Sequence, residues 1–283
     1  MTVLPLSVPR GALSPAGGDA RLVVGGRVAR AAARSGALWG CVFGLFVVVQ
    51  TVAFTAQYDT QAARDQMAAT YGTEGGLTAV LGQPDALNTV AGWATWRFVG
   101  ILGLLGSVWG VLLATRLLRA EEAAGQLDAL LVRPVSRARW LAGRLAVSCL
   151  LLGCAGVAAG GGAWVGTAGQ SDGIGAGDLV TAGVNIVPPG LFLLGLGTLV
   201  FGGWPRATRP VVYAYLTWAF LIEFSGGAVR LHHWLLDTSV FFHVSPAPAG
   251  PPDWSSAAVL SGLGIAGAVL GGFLFRRRDL RAA

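Results

Sequence analysis

Hydrophobic positions fall into six runs, at about residues 36–57, 93–115, 141–168, 179–202, 211–229 and 255–275. Each is close to the ~20 apolar residues an α-helix needs to cross a roughly 30 Å hydrocarbon core. The polar positions gather between them. The pattern predicts an all-α integral membrane protein with a six-span domain over 36–283, preceded by a tail and a basic helix over 1–35. In 21–35, Arg21, Arg27, Arg30 and Arg34 recur at mostly helical spacing against Val and Ala, which predicts an amphipathic helix lying on the membrane surface. Residues 1–20 are rich in Pro, Gly, Ala and Ser and read as a cytoplasmic tail. A cleavable signal is not expected, because no apolar region closely follows a basic start.

Local breaks refine this outline. Residues 58–92 form a polar connection carrying Asp59, Asp65, Glu74 and Asp85 against Arg64, and Trp93 and Trp96 follow as interfacial anchors. Pro188 and Pro189 should bend or interrupt the fourth run. Residues 230–254 are too polar to cross, and the short apolar piece 234–244 reads as an interfacial or re-entrant helix. Gly36, Gly40 and Gly44 recur every four residues, and Gly160, Gly161 and Gly162 are consecutive. Both permit close helix approach, although a chain with 43 glycines produces such spacing from composition alone.

Charge then fixes an orientation. Only 12% of residues are charged and 54% are hydrophobic, where soluble domains carry about 25% charge. All 20 basic residues are Arg. Without Lys there is no Walker A loop and no Schiff base, so this chain is expected to be neither a P-loop ATPase nor a Lys-dependent enzyme. With both termini inside, Arg64, Arg97 and Arg230 are the only outward Arg residues, which leaves 17 of the 20 on the cytoplasmic side. That bias predicts an N-in, C-in protein. The Arg residues lie beside apolar spans, so their expected partner is the membrane and not nucleic acid. Cys41, Cys149 and Cys154 lie within apolar runs and read as small core residues, not as a disulfide or zinc framework.

Candidate chemistry is sparse. No HExxH or GxSxG motif occurs, and the spans hold no acidic cluster. His232, His233 and His243 with Asp237 resemble metal ligands, but adjacent His residues point to different sides of a helix, so no metal site is expected. Arg97 and Glu223 lie about one and two turns below the outer ends of spans two and five. They form an intramembrane ion pair, line one polar cavity together, or each snorkels to the outer surface.

The longest strongly charged passage, 116–144, lies between spans two and three. Glu121 and Glu122 precede the apolar stripe Leu127, Leu130, Leu131 and Val132, and Arg133–Pro134 follows. An acidic start and an Arg-rich end suit a short amphipathic helix on the inner surface, stopped by the proline. An ordinary juxtamembrane helix accounts for that pattern equally well.

This passage resembles a known signature. Arg119-Ala-Glu121-Glu122-Ala-Ala-Gly125, Leu130–Leu131 and Pro134-Val135-Ser136-Arg137 before Trp140 are similar to the segment between spans two and three of type-2 ABC export permeases. The nearest subgroup is the actinobacterial exporters of polyketide antibiotics and other drugs. The closing segment agrees: Ser239–Pro246 with His243, Pro251–Trp254, and Phe275-Arg-Arg-Arg-Asp-Leu280. The resemblance implies a coupling helix seated in a groove of a separate nucleotide-binding ATPase, which binds ATP and Mg while this chain holds no cofactor. Glu121, Glu122, Gly125, Gln126, Arg133 and Arg137 would form or frame that contact, with the link 204–210 as a secondary one. Exporters of the subgroup often carry two six-span halves in one chain. This chain holds one, so a second copy or a sister permease is expected beside it in the bacterial plasma membrane, moving a lipophilic drug-like cargo. Two other readings stay open: a non-transporting polytopic assembly or sensor protein, and a secondary transporter using Glu223.

Overall fold

A computed structural model describes residues 17–73, 86–96, 101–123, 136–167, 174–228 and 231–277. Its elements are α1 (Gly17–Gln57), α2 (Gln61–Thr73), α3 (Val90–Thr95), α4 (Gly103–Ala123), α5 (Arg137–Thr167), α6 (Ala176–Asn185), α7 (Val187–Gly203), α8 (Thr208–Ala228), α9 (His233–Leu236) and α10 (Trp254–Arg277). A single 3₁₀ turn, Pro205–Ala207, links α7 to α8. The described residues contain no strand. Among the described residues, four stretches are long and apolar enough to cross a membrane: Ala37–Gln57, Arg137–Thr167, Ala176–Gly203 and Trp254–Arg277. The apolar part of α4, Gly103–Thr115, is shorter.

Several expectations are corrected. Residues 21–35 do not form a separate surface helix, because α1 runs unbroken for 41 residues. No Pro intervenes in GGRVARAAARSGAL, and the Ala and Arg residues between its glycines propagate a helix well. The second run, 93–115, is shared between α3 and α4, and residues 97–100 lie outside the described residues. The connection 58–92 contains the helix α2, whose Met67 and Arg64 are buried against the bundle. Trp96 is buried too, not an exposed interfacial anchor, and Trp93 stacks on Phe54 with ring centroids 4.7 Å apart.

The prolines act as expected. Pro188 and Pro189 occupy the first positions of α7, where a missing N–H removes no helical bond. The chain therefore breaks at Ile186, and α6 and α7 are two helices along one apolar run.

Packing centres on that broken helix. In Ala176–Gly203, 56% of the most apolar stretch is buried, against 28% in Trp254–Arg277, so α6–α7 is the interior element and α10 is peripheral. α7 packs against α10, α4 and α8, while α5 packs against α1 and α6. One core cluster joins Leu113, Leu151, Leu152, Leu194, Phe201 and Phe275 across α4, α5, α7 and α10. Outward residues such as Leu45, Trp164, Ile265 and Val269 are exposed and form the flank that faces lipid in a membrane.

Small residues set the crossings. A methyl group on Gly44 would lie 2.9 Å from the Ala158 carbonyl oxygen, and one on Gly162 would strike Gly44 itself. Gly160 faces the other way, with its methyl position 2.6 Å from Val180 Cα, while Gly161 faces open space. The consecutive glycines therefore serve two crossings at once, α5 with α1 and α5 with α6. The α7–α10 crossing is tightest, formed by Gly195 and Gly202 against Gly264 and Gly271. Van der Waals contact between closely approaching backbones is what holds apolar helices together where water exerts no drive between them.

Candidate functional site

The bundle has two chemically different ends. At the first, α5 begins, and α4, α7 and α10 finish. Ser136 opens α5, its Oγ accepting from Arg139 N (3.3 Å) and its carbonyl from Trp140 N (3.0 Å). The Trp140 ring contacts Phe275 at 5.8 Å, and Phe275, fully buried, meets Phe201 at 5.3 Å. The two motif regions singled out in the sequence, one ending at Trp140 and one starting at Phe275, thus meet in a single aromatic cluster. Arg137, Arg139, Arg144, Arg206, Arg209, Arg276 and Arg277 surround this end by their places on α5, α8, α10 and the 3₁₀ turn.

Of the predicted contact residues, Arg137 is the first residue of α5 and half-exposed. Glu121 and Glu122 lie on α4, which continues as one helix from Gly103 through Ala123. They belong to the prolongation of that helix and not to the first turn of a separate one, which corrects the N-terminal placement drawn from their charge. The reason is continuity: ATRLLRAEEA contains no residue that ends a helix. Gly125, Gln126 and Arg133 lie outside the described residues. So does Arg97, so the Arg97–Glu223 pairing has no geometry here; Glu223 is half-buried on α8.

At the opposite end, residues 231–253 fold back over the bundle. This segment holds the one-turn helix α9 and a cis Ala247–Pro248 peptide. It reaches the middle of α8: Tyr215 Oη donates to Thr238 O (2.9 Å), Trp218 Nε1 to Thr238 Oγ1 (3.0 Å), and buried Ser239 Oγ to Ala219 O (3.1 Å). Asn185, at the break between α6 and α7, donates its Nδ2 to Ser245 O (2.9 Å) and accepts from Ser245 Oγ (3.2 Å). Thr95 Oγ1 donates to Pro246 O (3.3 Å) and accepts from Ala249 N (2.8 Å). Three side chains from α3, α6 and α8 therefore satisfy the backbone of one irregular segment, which is how such backbone persists beside apolar helices. Sequence reasoning passed over Thr95 and Asn185, and took in Ser245 as part of the segment Ser239–Pro246. A lone amide in an apolar run was the available signal.

Asn185→Leu should loosen this strap, because the half-buried Ser245 loses one of two partners at its carbonyl and one of two at its Oγ, keeping Ala247 N and Asp253 N, at a net cost of about 1 kcal/mol per bond. Limited proteolysis checks it: cleavage within 238–250 should accelerate in the variant while the rest of the chain keeps its rate.

Acidic groups gather at this end. Asp253 stands just before α10, and its carboxylate accepts from the backbone N–H and hydroxyl groups of Ser255 and Ser256. These bonds hold its carboxyl down at about pKa 2, as hydrogen bonding to a charged form does. Asp65, bonded by Asn88 and Gln61, is lowered for the same reason. Asp237 Oδ2 lies 3.0 Å from His233 Nδ1, and His243 Nε2 donates to the Asp237 carbonyl at 3.0 Å. Among the described residues no group of three His, Cys, Asp or Glu side chains is disposed to hold a metal ion.

Two clefts complete the picture. One, of about 290 Å³, is a wholly apolar groove between α1 and α4, lined by Trp39, Phe43, Phe46, Leu105 and Trp109. The other, of about 500 Å³, lies between α7, α8, α10 and the strap. It has apolar walls and a polar rim at Asp237 and His243.

The sequence was compared with known proteins. Residues 28–276 match the family model described as "Multidrug efflux system permease Rv1217c, C-terminal domain". Over 188 residues the chain is 32% identical to the multidrug efflux system permease protein Rv1217c of Mycobacterium tuberculosis (strain ATCC 25618 / H37Rv), a stretch covering 64% of this chain and 33% of that protein. The chain thus matches about a third of the length of that curated relative.

Proposed function

We infer the function from a family assignment: the chain belongs to the multidrug efflux permease family whose model describes the C-terminal domain of Rv1217c. It acts as the membrane-spanning permease subunit of an exporter and is driven by a separate ATPase that binds ATP and Mg. The single observation that carries this is the extent of the family match, which takes in nearly all of the described helices.

In this reading α4 and α8 complete a six-span, N-in, C-in bundle in the plasma membrane of a bacterium. The end crowded with Arg faces the cytoplasm, and the strap with Asp237 and Asp253 faces outward. That distribution is the one expected of membrane proteins, which retain Arg inside. The ATPase docks on the cytoplasmic end through Glu121, Glu122, Gly125, Gln126, Arg133 and Arg137. A second permease, identical or a sister chain, forms the other half. ATPase dimerisation then rocks the halves between inward-open and outward-open states. An Arg97–Glu223 pair would join spans two and five within each half, and the cargo is lipophilic and drug-like.

The test is co-purification. An ATPase from a neighbouring reading frame, carrying GxxxxGK[ST] and an LSGGQ-like signature, should bind the full chain in detergent and turn over ATP faster when bound. Absence of any association with that ATPase overturns the reading in favour of a non-transporting membrane protein.

A further inference from the structure

We propose that the cleft between α7, α8, α10 and the strap is a binding site for a lipophilic organic cation. Its walls are the rings of Phe192 and Tyr215 and the side chains of Leu260 and Leu263. Its volume, about 500 Å³, falls within the ~300–1,000 Å³ of small-molecule sites, which combine apolar walls with few placed polar groups. One flank is open. Val259 and Leu263 are 60% and 54% exposed on the lipid-facing side of α10, so a membrane-dissolved molecule reaches the cleft sideways without crossing water.

The rim decides the charge of the ligand. Asp237 lines the cleft with a carboxylate whose Oδ2 is engaged by His233 Nδ1, while none of the described residues hydrogen-bonds its Oδ1. His243 donates its Nε2 to the Asp237 carbonyl and presents the rest of its ring at the same rim. Ser255 and Ser256, also on the lining, turn their hydroxyl groups to a second carboxylate, that of Asp253. Among the described residues that line it there is no Arg. A negative group over apolar walls attracts a ligand with a delocalised or sterically shielded positive charge, because such a cation leaves water at low cost. Beside a low-dielectric wall that attraction exceeds its value in water several-fold. An anion of the same shape meets the Asp237 carboxylate and is rejected.

That such a ligand is cargo rests on the export reading; that it binds does not. The experiment therefore uses the full chain without its ATPase. Equilibrium dialysis in detergent compares tetraphenylphosphonium with tetraphenylborate, ions of nearly one shape and opposite charge. Saturable binding of one phosphonium per chain is expected, with little saturable binding of the borate. Asp237→Asn should weaken phosphonium binding about fivefold or more, Asp237→Glu should restore most of it, and Leu263→Trp, which fills the cleft from its open side, should abolish it. Melting temperatures of all three variants should match the parent protein, so that any loss is read at the site. Equal binding of both ions shows a charge-indifferent apolar groove of the kind a lipid chain fills, and overturns the proposal. So does phosphonium binding that neither Asp237→Asn nor Leu263→Trp alters. Should binding hold while the ATPase fails to associate, the site stands and the export reading falls.

Discussion

Gly264→Leu should unseat α10 from α7 and cost the bundle about 3 kcal/mol, the upper part of the range for overpacking a filled contact. A first side-chain carbon at Gly264 would lie 2.7 Å from the Leu191 carbonyl oxygen and 3.1 Å from Phe192 Cα. Both are backbone atoms, which cannot rotate aside as a side chain does. Across the same crossing, a carbon on Gly195 would strike Gly264, and one on Gly271 would strike Thr198. The helices must therefore part along much of their length. Two residues away, Gly262 is exposed and has nothing within 4 Å of its methyl position. Gly262→Leu is the matched control and should be neutral, or slightly stabilising through better helix propensity. The measurement is thermal melting of both purified variants in detergent, alongside the fraction eluting as a single species. Equal melting temperatures would mean that the α7–α10 contact does not hold the bundle together. In a bilayer the reference state is two separated helices, so the cost appears as lost association, with the helices themselves intact.

The second large effect is expected at the other end of the molecule. Under the export reading, Glu121→Arg combined with Gly125→Trp should abolish ATPase co-purification and reduce transport to background. α4 continues past its apolar part at Thr115 as an unbroken helix. At 1.5 Å per residue, Glu121 is carried ~9 Å beyond it. A stiff prolongation transmits displacement, whereas a hinged surface helix would absorb it. Reversing the charge at Glu121 opposes whatever cationic group receives it, and such like-charge contacts cost several kcal/mol when desolvated. The same substitutions should leave the melting temperature of the isolated chain unchanged, since the core clusters lie elsewhere on the helices. Normal association and transport in the double variant would show that this stretch is not the docking element.

How much of the fold was legible varies by element, for identifiable reasons. The ends of α5 and α10 agree with the sequence to within a few residues, because each is one apolar run bounded by charge. The interruption at Ile186 followed from Pro188 and Pro189, whose missing N–H groups are a local property. By contrast, α2 was passed over, because its buried Met67 and Arg64 are single residues in a polar stretch and owe their burial to Phe54, Leu87 and Trp96 from elsewhere in the chain. Trp93 and Trp96 look like interfacial anchors to any reading that sees only their place at the start of a run. Their burial depends on the neighbours that α1 and α2 supply. For the candidate sites, the resemblance pointed to Trp140 and Phe275, which the fold then brought into contact, while residues 230–254 were read as an interfacial or re-entrant helix and their fastening to α3, α6 and α8 went unseen.

Read alone, the sequence determined the class of molecule: a helical membrane protein with its Arg residues gathered in a few connections, no Lys chemistry, and a family signature at two places. The signature is a resemblance carried by particular residues; the rest follows from composition and from periodicities repeated over ~20 residues, which no tertiary arrangement can alter. Only the tertiary structure decided which glycines are contacts. Gly160 and Gly162 lie at crossings, whereas Gly161 and Gly262 do not, though nothing in their spacing separates them. It alone also decided that residues 231–253 lie against the middle of α8, held by Thr95, Asn185 and Tyr215. Hydrogen bonds between residues 23 to 154 positions apart carry no local trace. The carboxylate rim and apolar walls of the larger cleft meet through those bonds, from four elements that the sequence keeps apart.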